Sequence, residues 1–487
     1  MGTGANPSTN QDHRFFGHPL GLRTLFLTEL WERFSYYGMR ALLILFMTAP
    51  AARKGMGFGT AEAGAIYGLY TGMVYLLALP GGWIADKILG ARRAVLVGGI
   101  IIALGHFSLA MPSVVTFFIG LVLIVSGTGL LKPNVSAMVG QLYPQHDPRR
   151  DAGFSIFYMG INLGAFIAPL ICSYVGENIN WHYGFAIAGL GMTIGVIQYV
   201  LSVKTLGAAG AKPLPSKGET RKFRWGIVAF VLALLALGRL AYHGTISVES
   251  LSSSFGALLL LIVATLFGGM LLFGKWTKQE RGRLVVIFIL FAAATLFWSI
   301  YEEAGSTLNL FADRNTDRSV PGMAQPFPAG WFQSLPALFV IALAPLFAWL
   351  WVKLGERNPP SAIKFSIGLL FGGLSFMILV PIAGKMGVSP IWLTLTYLLQ
   401  TIGELCLSPV GLSAMTKLAP RRIGSLIMGI FFLSNSMGNY ISGRLASVYE
   451  TMPLPKLFGT VGVTALVLAG VLVLLNGPMK RWTGGEE

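Results

Sequence analysis

Between residues 29 and 40 the chain reads ELWERFSYYGMR, which places Glu29, Glu32, Arg33 and Arg40 inside an otherwise apolar stretch. At about 100° per residue, Glu29, Glu32, Arg33, Tyr36, Tyr37 and Arg40 share one helix face, and the other face is apolar. Turning that face to lipid would cost roughly 2.5–3.5 kcal/mol per charge, so it must look into a bundle or an aqueous cavity. A self-neutralised patch built on Glu29–Arg33 pairing is the plainer alternative. Two carboxylates beside one buried arginine suit a proton site better. Such a carboxylate stays charged until its ion pair is disturbed, and then its affinity for a proton rises. His106 is a lone histidine in an apolar run, the kind that is more often structural than a proton carrier, so the proton work falls to carboxylates.

Other charges interrupt apolar runs. Lys132 follows the run from Phe117 to Leu131, and Pro133 removes a backbone hydrogen bond there. Snorkelling to the inner surface is the alternative role for this lysine. Glu302 and Glu303 are adjacent in FWSIYEEAGSTLNLFADR; neighbouring helical residues point about 100° apart, so one of the two is expected to face a cavity. Glu404 sits mid-run in TYLLQTIGELCLSPVGLS, where an unpaired glutamate would be protonated or mispaired.

The elements that must carry these residues are membrane spans. The 487 residues are 54% hydrophobic and 11% charged. Fourteen apolar runs of membrane-crossing length fall at about 20–48, 62–85, 93–111, 114–141, 152–176, 182–203, 225–241, 256–274, 284–311, 330–354, 362–384, 390–417, 424–448 and 456–477. Lys and Arg are concentrated in alternate loops, at Lys87, Arg92 and Arg93, at Arg149 and Arg150, from Lys204 to Arg224, and at Lys275, Lys278, Arg281 and Arg283. The opposite loops hold few, so positive-inside bias predicts cytoplasmic termini and accounts for a net charge of +16 without nucleic acid. Six spans precede the Gly/Pro/Lys-rich linker 204–224. Two spans almost free of buried charge then follow, and six more complete the chain. The expected domains are a six-helix bundle at 20–203, an inserted pair at 225–282 and a second six-helix bundle at 283–478.

No disulfide framework or metal pattern is available from Cys172 and Cys406, which lie far apart in apolar segments. The polar N-terminus runs to about His18, and the first span is too long and too charged for a cleavable signal peptide. No nucleophile elbow, phosphate loop or soluble domain supports an enzyme.

The loop GGWIADKILGARR, residues 81–93, resembles the signature loop of the major facilitator superfamily, in which Asp86 can meet basic or helix-end partners. ELWERFSYYG resembles the ExxER(F)xxY motif of the proton-dependent oligopeptide transporters, the peptide branch of that superfamily. FSIFYMGINLGAFIAP (154–169) looks like their second signature, with Phe154, Tyr158, Asn162 and Gly164 in place. The resemblance covers about residues 20–475. It implies an all-α integral membrane protein of the major facilitator fold, with fourteen transmembrane helices.

The function it implies is proton-coupled import of di- and tripeptides by alternating access. Protons would be carried at Glu29, Glu32 and Glu302, with Arg33 as partner. Arg33 and Lys132 would take the peptide carboxylate and Glu404 the amino group. Tyr36, Tyr37, Tyr75, Tyr158 and Asn162 would line the walls. The similarity to FWxxxEQ selects Glu302 over its rival Glu303 and pairs it with Arg40 as a gate; Lys132 and Glu404 would pair when the site is empty. Two departures stand out. Pro336 in FQSLPALF replaces a usual asparagine, and Phe431 replaces a usual tryptophan in a side-chain pocket. No cofactor beyond the proton is implied, and the expected state is a monomer in the cell (inner) membrane. The nearest alternative is a related proton-coupled carrier of nitrate or modified amino acids, against which the two-glutamate stripe and Lys132–Glu404 argue for peptides without excluding a broader specificity. A drug antiporter would share the fold, but nothing in it would require charged groups for both peptide termini.

Overall fold

The computed structural model describes residues 14–144, 146–211, 217–242, 247–322 and 325–484; the polar N-terminus up to residue 13 and linker residues 212–216 lie outside them. Fourteen helical segments match the fourteen expected spans. They are α1 Leu20–Thr48, α2 Thr60–Leu89, α3 Ala91–Leu109, α4 Val114–Gln141, α5 Arg150–Asn178, α6 Trp181–Ser202 and α7 Lys217–Tyr242. The rest are α8 Val248–Phe273, α9 Lys278–Arg314, α10 Leu335–Leu354, α11 Ser361–Met377, α12 Pro390–Leu418, α13 Gly424–Ser447 and α14 Leu454–Thr483. Ten of them are long and apolar enough to cross a membrane among the described residues. α11, with 17 residues, is shorter, and α1 carries the charged stripe.

Local chemistry sets several boundaries. Thr277 and Glu280 form a reciprocal capping box at the start of α9. Asn180 caps α6 by accepting from the His182 amide at 2.9 Å. α2 runs further than its apolar residues suggest, because the expected loop at 81–93 is helical as far as Leu89 and ends in a π-turn over Ala85–Leu89. Gly90, at φ 79°, makes the actual turn. Arg92, rather than the exposed Asp86, ties this corner down. Its guanidinium donates to the carbonyls of Ala209, at 2.6 Å, and Gly207, and Tyr199 donates to the Arg92 carbonyl at 3.1 Å.

Chain contacts divide the molecule into two compact units. One holds the residues up to Arg40 with Leu77–Gly238, and the other holds Ala41–Leu76 with the chain from Arg239 onward. The divisions fall inside α1, α2 and α7. The first unit is built on Leu22, Val95, Ile102, Leu131, Val135 and Met192. In it α3 and α4 lie backbone to backbone: a Cβ at Gly98 would stand 2.6 Å from the Gly127 carbonyl, and one at Gly105 would stand 2.7 Å from Ile124 Cγ1. In lipid, apolar side chains gain little by leaving their solvent, so such close approach of small residues supplies the packing. Gly127→Leu would force these helices apart at a cost of about 1–3 kcal/mol or more, and should sharply reduce monodisperse protein on size-exclusion chromatography. The second unit is built on Leu290, Phe291, Phe297, Phe365, Leu369 and Leu407. Exposed Leu201, Leu272, Phe273, Val352 and Leu474 are at home against lipid chains.

Candidate functional site

In the first unit the stripe on α1 is a closed ionic cluster. Arg33 Nε donates to Glu29 Oε1 at 2.7 Å and stands 3.0 Å from Glu32 Oε2. All three side chains are buried. The i,i+4 step places Glu29 below Arg33, and Glu32 reaches the same guanidinium from the adjacent position. Lys132, half-buried on α4, acts electrostatically on Glu32. One cluster thus holds two carboxylates and two cations. The Arg33 guanidinium lies 6.0 Å from the Tyr36 ring centre and that of Arg40 5.8 Å from Tyr37, while the two rings meet edge to face at 5.3 Å. Arg40 is buried like the others. On α5, Asn162 is buried and donates to the Tyr158 carbonyl at 3.0 Å, whereas the Tyr158 side chain is 41% exposed.

Gly164 and Gly38 bring α5 against α1 behind this cluster. A Cβ at Gly164 would crowd the Leu30 carbonyl, and one at Gly38 would stand 2.5 Å from Cys172 Sγ. The glycine of the second signature therefore serves as a contact surface for the helix that carries the first.

In the second unit α9 is broken where a continuous helix was expected. The α-helix ends at Tyr301, Glu302–Gly305 form a 3₁₀ turn, and a short helix Thr307–Arg314 follows. A 3₁₀ turn advances about 120° per residue, so the adjacent carboxylates still point apart, and both Glu302 and Glu303 are buried. Glu303 accepts from Ser306 Oγ at 3.2 Å, and Ser306 in turn meets Ser442 of α13 at 2.8 Å. Glu303 is thus engaged by local hydroxyls, while Glu302 lies close enough to Glu404 for their charges to interact.

Tyr301 is the hydrogen-bond partner of the buried Glu404 side chain on α12. One turn earlier, Gln400 Nε2 donates to the Ile300 carbonyl at 3.4 Å, so α12 holds the turn just before the break in α9 at two successive residues. Phe431 is buried and packs on Gly411, where a Cβ would come within 2.8 Å of its ring. Pro336 occupies the first turn of α10, where its missing N–H leaves no helical bond unmade. Tyr75 lies half-buried in this same unit.

Several buried amides escaped the sequence reading. Asn309 donates to the Ala41 carbonyl at 2.9 Å, tying the short helix beyond the break to the far part of α1. Asn439 donates to the Asn435 carbonyl at 2.9 Å on α13. Gln400 is fully buried and its Oε1 has no hydrogen-bond partner. The available signal was an amide in mid-span with no loop nearby, the same signal that marks Glu404. Removing the Gln400 bond by Gln400→Leu should leave the fold intact, at about 0.5–1.5 kcal/mol, and raise the KM for transported substrate severalfold in an uptake assay.

A sequence profile of the POT family matches residues 92–461. The chain belongs to the POT family. It is 42% identical over 494 residues to the peptide transporter YePEPT of Yersinia enterocolitica, covering 96% of each chain. It is 37% identical over 485 residues to a di-/tripeptide transporter of Lactococcus lactis, covering 96% of this chain and 97% of that one. A solved POT family transporter in complex with 5-aminolevulinic acid superposes with a TM-score of 0.90 at 37% identity, covering 96% of this chain and 98% of the other. The fold is accordingly the all-α major facilitator fold, and the protein is a multi-pass membrane transporter rather than an enzyme.

Proposed function

We propose that this POT family member is a proton-coupled symporter that imports di- and tripeptides by alternating access. The observation that carries the reading is the Glu29–Arg33–Glu32 cluster: two buried carboxylates share one guanidinium within reach of Lys132. An arginine so engaged is withheld from any other anion. Protonation of Glu32 or Glu29 loosens it, and the carboxylate of an arriving peptide takes the vacated bonds. Proton and peptide then depend on one another through the same guanidinium. The names of the relatives from Yersinia and Lactococcus support peptides as the substrate class.

In this scheme Arg33 and Lys132 receive the peptide carboxylate, and Glu404 receives the ammonium group. Tyr36, Tyr37, Tyr75, Tyr158 and Asn162 offer hydroxyls and an amide to the peptide bond, and Phe431 shapes a side-chain pocket. Glu302 takes part in proton transfer and, with Arg40, in gating; Lys132 and Glu404 engage each other when the site is empty. The proton gradient is the only driving agent, with no further cofactor. The protein works as a monomer in the cell membrane, with both termini cytoplasmic.

The test is the lumenal pH of proteoliposomes holding the purified transporter and a pH dye. External dialanine should acidify the lumen, and Glu32→Gln should abolish the acidification while peptide exchange across the membrane continues. Peptide entry with no proton movement would refute the coupling. The relative that holds 5-aminolevulinic acid favours a second substrate class, small amino-carboxylic acids, which competition against labelled dialanine separates from peptides.

A further inference from the structure

Within the second unit, α2 runs antiparallel along α13. Gly64, Gly68 and Gly72 recur every fourth residue on α2; a Cβ at Gly64 would stand 2.5 Å from the Ser447 amide nitrogen, and one at Gly68 2.8 Å from the Tyr440 carbonyl oxygen. Ser436 donates to the Gly72 carbonyl at 2.7 Å. Small residues at this spacing let the two helix backbones pack closely along a smooth seam.

The polar tie lies at the end of this seam, and it converges on one carboxylate. Thr60, the first residue of α2, donates to Glu450 Oε1, and Arg314 Nη1 donates to the same oxygen at 2.6 Å. The Arg314 guanidinium lies 5.6 Å from the Tyr449 ring centre. Tyr449 donates to Asn315 Oδ1 at 2.9 Å, and Asn315 Nδ2 donates to the Lys385 carbonyl at 3.1 Å. The start of α2, the end of α9, the end of α13 and the turn before α12 therefore meet around Glu450.

We propose that Glu450 is a positioning residue of the transport cycle, a latch that holds the start of α2 against the ends of α9 and α13 and lets go when the transporter opens to the outside. This rests on the alternating-access reading above. α9 and α13 are already joined further along their length through Ser306 and Ser442, so α2 is the element the latch releases. Exposure of the pair favours a latch over a permanent bolt. The Glu450 side chain is 56% exposed and that of Arg314 31%, so water can replace each partner as the bond opens. An exposed pair of this kind biases an equilibrium by roughly fivefold and does not freeze it. Arg314 also lies on the short helix that follows the Glu302–Gly305 break, giving a mechanical path from the site carboxylates to the latch.

The test uses the full-length transporter with Cys172 and Cys406 replaced by alanine and one reporter, Ala63→Cys, at a fully buried α2 position one turn beyond Thr60. Intact cells are treated with a membrane-impermeant maleimide. Glu450→Gln and, separately, Thr60→Val should each raise the labelling rate about two- to fivefold. They should also lower the KM for external peptide together with kcat, as expected when the outward-open state is overpopulated. The charge exchange Arg314→Glu with Glu450→Arg should return labelling towards the parent rate. Unchanged labelling in both single variants, or a charge exchange no better than Glu450→Gln alone, overturns the latch. Labelling needs no peptide uptake, so a parent protein that fails to transport peptides would refute the substrate reading independently of this result.

Discussion

Arg33→Leu is expected to abolish gradient-driven peptide uptake by at least about a hundredfold and to destabilise the protein at the same time. The substitution removes the guanidinium that both Glu29 and Glu32 contact and leaves two buried carboxylates with Lys132 alone to offset them. Breaking a buried ion pair from one side costs roughly 3–5 kcal/mol, because the remaining charge keeps its desolvation without its partner. The carboxylates escape part of that penalty by holding protons, and a site that is permanently protonated can no longer exchange protons across the membrane. A comparison with a triple variant separates the two effects. Adding Glu29→Gln and Glu32→Gln to Arg33→Leu should recover most of the thermal stability measured in detergent, yet uptake should stay absent. Recovery of uptake along with stability would mean that the cluster only supports the fold.

The second large effect is at Glu404. Glu404→Gln keeps the size of the side chain and its contact with Tyr301 but removes the charge that the proposal assigns to the peptide amino group. Losing one partner of a buried charge pair costs about 2–5 kcal/mol, which corresponds to a KM for dialanine raised by roughly 30- to 4,000-fold. The sharper readout is a ratio. The parent protein should strongly prefer dialanine over N-acetyl-dialanine, and in Glu404→Gln that preference should collapse because neither peptide then meets a carboxylate. A preserved ratio would place the ammonium group elsewhere.

What could be read from the chain alone depended on how local each signal is. The stripe on α1 was legible because helical period and the expense of charge in lipid both act on neighbouring residues, and Arg33 indeed sits with Glu29 and Glu32. The broken α9 was not legible. The carboxylate of Glu303 is engaged by Ser306, whose own partner Ser442 is 136 residues away. The 81–93 motif marked a corner correctly, but its turn belongs to Gly90 alone and its ties to Arg92, whose carbonyl partners lie beyond α6. The four-residue spacing of Gly64, Gly68 and Gly72 is plain in the sequence, though nothing local names α13 as the helix it meets. Thr60 and Glu450 are separated by 390 residues and sit at element ends, where sequence pattern is weakest.

The measurement that bears most directly on the central claim is uptake of labelled dialanine into proteoliposomes, with and without an inward proton gradient. With the gradient, peptide should accumulate inside above its outside concentration. When a proton ionophore collapses the gradient, accumulation should fall to simple equilibration. Equal accumulation under both conditions, or none under either in a protein that still binds peptide, would contradict proton-driven symport by this chain.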